Sequence, residues 1–311
     1  MERDWDARAR EAPEHYIATA HKTWDPAEFF RSGEINADNE ILSDPDIPIT
    51  GSMLEIGCGA GRMTKALAAI YAEVYAVDIS AEMIALAQRN LSGLPNVHLH
   101  KNSGADLAHL PDGSLDFAFS YIVFQHIPSR EAIASYIREV HRCLKPGGIF
   151  KFQVQGDTTI RSESEGSWLG APISVEEAHA LALASDFEPI RTQGEGTQYF
   201  WLWFRKPGAA PRIVAPAEPI EVHFSPALVR PGEEYTVRIP DFAGHTIDVR
   251  YEFLGSTGVV GRWCALDANG EARIAVPATQ PPGRVRVAAV RSRTANSPWR
   301  PASAEIRIAP R

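Results

Sequence analysis

The chain has 311 residues, 44% hydrophobic, 23% charged and 9% aromatic, which excludes a collagenous, low-complexity or wholly disordered protein. At roughly 150 residues per domain, that length predicts two cores. The net charge of −8 divides unevenly: residues 1–206 carry 18 basic and 29 acidic side chains, a balance of −11, and residues 207–311 carry 13 and 10, a balance of +3, every basic one an arginine. An acidic first part argues against a nucleic-acid partner, because such affinity rests on cations that neutralise phosphates.

In chain order, Met1-Glu2-Arg3-Asp4-Trp5-Asp6 is charged where a secretory signal would be basic and then apolar. No apolar run approaches the roughly 20 residues of a membrane span, so no membrane association is expected and the location is expected to be cytoplasmic. Residues 1–45 read as helical segments with Tyr16, Trp24, Phe29 and Phe30, one helix starting at Asp25-Pro26 with proline in the first helical position. Short apolar runs then alternate with amphipathic ones. Strands are predicted at Met53–Ile56, Val74–Val77, Val97–His100, Phe117–Phe119 running toward Val123, and Ile149–Val154. The clearest helix follows Ser129 as N-cap, with Ile133, Tyr136, Ile137, Val140 and Leu144 on one face, and Lys145-Pro146-Gly147-Gly148 ends it. Ser174-Val175-Glu176-Glu177 is a capping box, and a last strand through Gln198–Phe204 should pair antiparallel after a short connection. The pattern predicts an α/β domain with a mainly parallel sheet.

A Pro/Ala-rich stretch at 207–218 reads as a semi-stiff linker. Beyond it, residues 219–311 offer seven β-runs: Ile220–Phe224, Glu234–Ile239, Thr246–Leu254, Val259–Leu266, Glu271–Val276, Arg284–Arg291 and Ala304–Ile308. In one of them Val285, Val287 and Ala289 alternate with Arg284, Arg286 and Ala288, and turns such as Asp267-Ala268-Asn269-Gly270 separate the runs. This predicts a β-sandwich. The three cysteines, Cys58, Cys143 and Cys264, are too far apart for a disulfide scaffold or a zinc pair, so reduced thiols are expected.

Chemistry concentrates in Leu54-Glu55-Ile56-Gly57-Cys58-Gly59-Ala60-Gly61-Arg62, a strand running into a glycine loop and a helix. Glycines there let backbone amides and a helix start approach a ligand. Arg62 stands where a dinucleotide fingerprint needs glycine or alanine, which disfavours an NAD-type oxidoreductase. Asp78 closes the second strand, where a carboxylate accepts hydrogen bonds from a ribose diol or caps the next helix. Asn102-Ser103-Gly104-Ala105-Asp106 follows the third strand and Ser120-Tyr121-Ile122-Val123-Phe124-Gln125-His126 the fourth. All converge on the carboxyl edge of one sheet, as an adenosine-type ligand requires.

On these motifs, together with Leu110-Pro111 to Asp116 and Leu144-Lys145-Pro146-Gly147-Gly148, residues from about 50 to 206 resemble a class I S-adenosylmethionine-dependent methyltransferase, with a Rossmann-like seven-stranded domain. The resemblance implies S-adenosyl-L-methionine as cofactor. It implies Gly57, Cys58 and Gly59 along the methionine part, Glu55 supporting the amino group, Asp78 and Ile79 at ribose and adenine, and Ser103, Gly104, Ala105 or Asp106 near adenine. N-terminal helices cover the cofactor in similar enzymes, so Tyr16 becomes a lid contact and residues 1–45 a cap on a domain spanning 1–206. The motif (Asn/Asp)-Pro-Pro-aromatic, common in enzymes that methylate amide or exocyclic amino nitrogens, is replaced by Ser120-Tyr121-Ile122-Val123, which removes support for such acceptors. A small-molecule or glycan-like acceptor remains.

His126 is the candidate catalytic residue, as a general base toward a hydroxyl or, equally, as a hydrogen-bonding group that orients the loop. Tyr121 shapes the pocket, and the polar insert 157–168 suits substrate recognition. His98 and His100 share a strand face without a third ligand, so no metal is expected. Residues 219–311 resemble an immunoglobulin- or fibronectin type III-like domain, on Tyr251, Trp263, Asp267–Gly270 and Asn296-Ser297-Pro298-Trp299. That analogy implies no activity. Its arginines leave it free to dock on the acidic first domain or on another protein. A non-catalytic S-adenosylmethionine-binding scaffold is the alternative to an enzyme.

Overall fold

A computed structural model of the chain describes residues 1–42, 44, 46–49, 51–160, 168–208, 220–254, 259–276, 280, 282–292, 300–302 and 304–310. Most of the expected linker, from residue 209 on, lies outside them, as do 161–167 of the polar insert and the Asn296–Trp299 run. Contacts divide the chain into two compact units, Met1–Glu34 with Thr50–Arg212, and Ile35–Ile49 with Ile213–Arg311. The sequence reading kept all of 1–45 in the first part. The structure gives Ile35–Ile49 to the second, because Ile41, Leu42, Ile47 and Ile49 are buried and the π-helical turn Asp38–Leu42 packs on a strand of that unit.

The first unit opens with α1 (Glu2–Glu11), α2 (Pro13–Ile17) and α3 (Pro26–Ala37). Asp25 Oδ1 accepts from the Ala27 and Glu28 amides and so caps α3. There follow β1 (Ser52–Ile56), α4 (Arg62–Ala68), β2 (Glu73–Asp78), α5 (Ala81–Asn90), β3 (Val97–Lys101), β4 (Leu115–Ser120), α6 (Arg130–Cys143), β5 (Leu144–Val154), α7 (Val175–Ala184), β6 (Glu188–Gln193) and β7 (Phe200–Arg205). The sheet order is β3-β2-β1-β4-β5-β7-β6. β1 to β5 run parallel to their neighbours, and β7 lies antiparallel between β5 and β6.

The predicted caps are present. Ser129 Oγ accepts from the Ala132 amide, and Ser174 and Glu177 form the reciprocal capping box. Two local expectations change. α6 ends at Cys143, just before Lys145-Pro146-Gly147-Gly148, but β5 starts at Leu144 rather than at Ile149 and takes that segment in, with Gly147 N donating to Lys206 O and Lys206 N donating to Gly148 O. β4 stops at Ser120, short of Val123, because the chain turns sharply at Ile122.

In the second unit lie β8 (His223–Ser225), β9 (Leu228–Val229), β10 (Glu234–Arg238), β11 (Thr246–Leu254), β12 (Val259–Ala265), β13 (Glu271–Ala275), β14 (Gly283–Ser292), β15 (Arg300–Pro301) and β16 (Glu305–Ile308). They form a three-stranded sheet, β13-β10-β8, and a six-stranded one built on β12-β11-β14-β16-β9 with β15 on β14. Both sheets feed one apolar cluster that includes Tyr235, Val237, Val249, Val287 and Ile306. Alternation in β14 holds through Val285 and Val287. A register shift opposite Arg250/Tyr251 then brings Val290, rather than the expected Ala289, into the core. The unit also holds a buried ion pair. Arg291 Nε lies 2.7 Å from Asp248 Oδ2, both side chains at most 1% exposed, and Arg291 Nη1 donates to Ile49 O at 3.2 Å.

Candidate functional site

The carboxyl ends of β1, β2 and β4 meet the N-terminal helices around one cleft of the first unit. β1 leads into the loop Gly57–Gly61. Gly57 has φ +79°, and a Cβ there would lie 2.2 Å from Val123 Cγ2, so only glycine lets the loop pass under the turn after β4. The Gly57 and Cys58 amides both donate to Val77 O, which folds the loop back on the end of β2.

Two carboxyl groups face this loop. Asp78 Oδ2 accepts from Gly59 N and Oδ1 from Ser80 N, each at 2.9 Å. Burial raises its pKa, against the pull of these amides. Glu55 points from β1 into the same cleft, and Thr64 Oγ1 donates to its Oε2 at 2.6 Å. Burial pushes its pKa up to about 7, opposed by the Thr64 hydroxyl and by Arg62. Arg62 lines the cleft too, with Nη1 donating to Ser32 Oγ at 3.1 Å.

His126 stands across from them. Its Nδ1 lies 2.6 Å from the Trp168 carbonyl oxygen, and burial lowers its pKa. A carbonyl can only accept, so Nδ1 carries the proton and Nε2 keeps its lone pair. The Trp5 ring meets the imidazole edge-on at 5.6 Å, and the Trp168 ring lies 5.3 Å away. Arg8 sits over Trp5 at 4.6 Å and over Trp168 at 5.2 Å. Tyr16 and Ile17 close the cleft from α2. Between Tyr121 and Val123, Ile122 has φ +56°, a strained conformation for a β-branched side chain, and its amide donates to Gln153 Oε1.

Of the residues singled out from the sequence, the structure brings together Glu55, Gly57, Cys58, Gly59, Asp78, Ile79, Tyr121, Tyr16 and His126. Ser103, Gly104, Ala105 and Asp106 are not among the cleft-lining residues. Ser103 and Asp106 hydrogen-bond each other, and a Cβ on Gly104 would meet Ile79 and Met1, which stand between it and the cleft. Asn102 is buried and donates to the Tyr136 hydroxyl at 2.8 Å, and its Oδ1 has no partner. The sequence reading missed Met1, Trp5, Arg62, Ile122 and Tyr136 as lining residues. Arg62 carried a signal, being the charged residue that ends the glycine loop; the backbone of Ile122 carried none. No cluster of three or more His, Cys, Asp or Glu able to hold a metal occurs among the described residues. His98 instead pairs with Glu73 at 2.6 Å.

The donor set suits a ligand that is zwitterionic at one end, hydroxylated in its middle and flat at the other. Glu55 and Arg62 match opposite charges, Asp78 accepts from hydroxyls, and Ile79 and Met83 supply apolar surface. The closed cleft holds only about 100 Å³, below the roughly 300–1,000 Å³ of small-molecule sites. A ligand of nucleoside size therefore requires α1 and α2 to yield.

Residues 54–152 match the family model described as a methyltransferase domain. Similar curated proteins are named ubiquinone biosynthesis O-methyltransferase. The one from Thiobacillus denitrificans is 32% identical over 133 residues, 42% of this chain and 56% of the relative. The one from Paraburkholderia xenovorans is 30% identical over 132 residues, with the same shares. The chain thus spans about half the length of these relatives. A chain from the complex between the Haloferax volcanii Trm112 methyltransferase activator and a methyltransferase superposes with TM-score 0.50 at 15% identity, over 66% of this chain and 98% of that one. That likeness concerns the fold.

Proposed function

We propose that the chain is an S-adenosyl-L-methionine-dependent methyltransferase that acts on a small-molecule acceptor. The observation that carries this reading is the presence of two carboxyls, the buried Glu55 and the half-buried Asp78, at the ends of adjacent strands around the Gly57–Gly61 loop. The match of residues 54–152 to a methyltransferase domain and the O-methyltransferase names of the relatives support it. When bound, S-adenosylmethionine supplies an electrophilic methyl group on a sulfonium. Glu55, with Arg62 beside it, holds the amino acid end, Asp78 accepts from the ribose hydroxyls, and Gly57, Cys58 and Gly59 line the methionine part. Ser103, Gly104, Ala105 and Asp106 take part only after the cap opens and Met1 moves.

In-line transfer asks the protein chiefly to align the acceptor and exclude water. Trp5 and Tyr16 wall the acceptor side, and the Trp168 ring packs against Tyr16 and His126 behind them. His126 Nε2, neutral and fixed in its tautomer, accepts the proton of a hydroxyl acceptor. His126→Ala is expected to slow turnover by 10²-fold or more, the order of general-base contributions, with little change in cofactor affinity by calorimetry. Unchanged turnover removes the base, and a loss confined to cofactor affinity assigns His126 to orientation.

For the second unit, an immunoglobulin- or fibronectin type III-like sandwich is the proposed class, supported by its many short strands and shared core and without a disulfide of antibody type, since Cys264 is a free thiol. Residues 207–311 carry a balance of +3, but with Ile35–Ile49 the second unit holds 12 basic and 14 acidic side chains, so its net charge gives no support for docking on the acidic part of the chain. A glycan-like acceptor stays open beside other small molecules. The reduced cysteines support a cytoplasmic setting. Among the described residues no helix is long and apolar enough to cross a membrane.

A further inference from the structure

We propose that Gly170 is a positioning residue for His126: it lets residues 168–171 lie directly against the backbone of residues 125–127, which seats the Trp168 carbonyl on Nδ1 and leaves Nε2 its lone pair. The proposal rests on the reading of His126 as the proton acceptor. His126 ends the single helical turn Phe124–His126, and backbone hydrogen bonds hold the segment on either side of it. Gly170 N donates to Gln125 O at 2.6 Å and Ala171 N to Ile127 O at 2.8 Å. With these two bonds flanking residue 126, the carbonyl oxygen of Trp168 falls 2.6 Å from Nδ1. His126 is buried, and a buried ring N–H requires such an acceptor.

Only glycine fits at the contact. A Cβ on Gly170 would lie 2.6 Å from both the carbonyl carbon and the oxygen of Gln125, and 2.9 Å from Ile127 N. These are backbone atoms, which cannot rotate aside as a side chain does. The φ of Gly170 lies outside the left-handed region, so glycine supplies room here rather than a special conformation. Carbon atoms normally meet at about 3.5–4.0 Å, so an alanine needs roughly 1 Å of movement.

That movement falls on the Trp168 side. Downstream the segment is anchored: Ile173 N donates to Gln155 O at 2.8 Å, Arg130 Nη2 donates to Pro172 O at 2.7 Å, and Ala171 and Ile173 are buried. Trp168, by contrast, is 44% exposed. A displacement of about 1 Å takes the Nδ1 contact beyond the usual hydrogen-bond range of about 2.7–3.2 Å. Freed of the carbonyl, the ring takes either tautomer, and the fraction protonated on Nε2 cannot accept a proton.

The test is proton–nitrogen NMR of the full chain carrying nitrogen-labelled histidine at pH 8, with the His126 signals assigned by their loss in His126→Ala. The wild type should show one tautomer, protonated on Nδ1, and a slowly exchanging Gly170 amide. Gly170→Ala, checked for folding by a thermal melt, should show both tautomers. Trp168→Ala keeps the carbonyl and should retain the single tautomer. With methyl-labelled S-adenosylmethionine and a small-molecule extract, Gly170→Ala should release S-adenosylhomocysteine roughly 10–100-fold more slowly, at unchanged affinity for S-adenosylhomocysteine by calorimetry. A folded Gly170→Ala with the wild-type tautomer, or a tautomer lost as fully in Trp168→Ala, overturns the proposal. So does a mixed tautomer or a freely exchanging Gly170 amide in the wild type, with no variant needed. Failure of the activity reading shows separately, as absence of release by the wild type.

Discussion

Glu55→Gln should make the protein more stable above neutral pH and less able to bind its cofactor. The carboxyl is buried and its pKa is raised from 4.5 to about 7, chiefly by desolvation. In the unfolded chain it ionises near its ordinary value. As pH rises from about 4.5 to about 7 the unfolded state therefore loses this proton while the folded state keeps it, so stability falls across that window and is level above it. Over the window from about 4.5 to about 7, at roughly 1.4 kcal/mol per pH unit, the fall amounts to about 3 kcal/mol. Glutamine cannot ionise, and its amide oxygen can still accept from Thr64. Thermal melts at pH 5 and pH 8 should give a much smaller fall for the variant than for the wild type, by roughly 6–12 °C for a unit of this size. Cofactor binding should meanwhile weaken, because the amide cannot pair with an ammonium. In the wild type, calorimetry in buffers of different ionisation enthalpy should detect proton release on binding at pH 6 that vanishes by pH 8. Identical pH dependence of stability in both proteins would refute the reasoning, since the burial cost would then lie elsewhere.

Asp248→Asn removes the carboxylate that lies 2.7 Å from the buried Arg291 guanidinium, and should cost about 3–5 kcal/mol in denaturant melts. A double replacement by Leu and Met should recover most of that. Asp6→Ala removes the acceptor that ties α1 to the start of α5 through the Ser80 hydroxyl at 2.6 Å. About 1 kcal/mol of anchoring should appear as several-fold faster tryptic cleavage at Arg8 and Arg10, reversed by S-adenosylhomocysteine if α1 closes over the ligand.

How far the sequence could be read depends on whether each feature is local. The Ser129 cap, the Ser174–Glu177 box and the start of α3 at Pro26 are written in adjacent residues, and all three occur as expected. The glycine loop and Asp78 were legible because their side chains and strand ends sit in a short stretch with a fixed topology. β6 was not, since Glu188-Pro189-Ile190-Arg191-Thr192-Gln193 has no apolar alternation and contains a proline; it forms as an outer strand paired only to β7. The transfer of Ile35–Ile49 to the second unit depends on partners more than 200 residues away, among them the Arg291 guanidinium on Ile49 O. No local pattern encodes that. Likewise, Ser103–Asp106 were placed near adenine by the family resemblance and their position after the third strand, and the interposed Met1 side chain is visible only in three dimensions.

The central claim is that this cleft binds S-adenosylmethionine and passes on its methyl group. Its most direct test incubates the full chain with methyl-labelled S-adenosylmethionine and a small-molecule extract, following S-adenosylhomocysteine release and the labelled product by mass spectrometry. Release by the wild type that is abolished in Asp78→Ala, with label on an oxygen of a small molecule, is the predicted result. Tight cofactor binding with no release under any acceptor mixture would make the chain a binding protein, and NADH binding in place of S-adenosylmethionine would contradict the account outright.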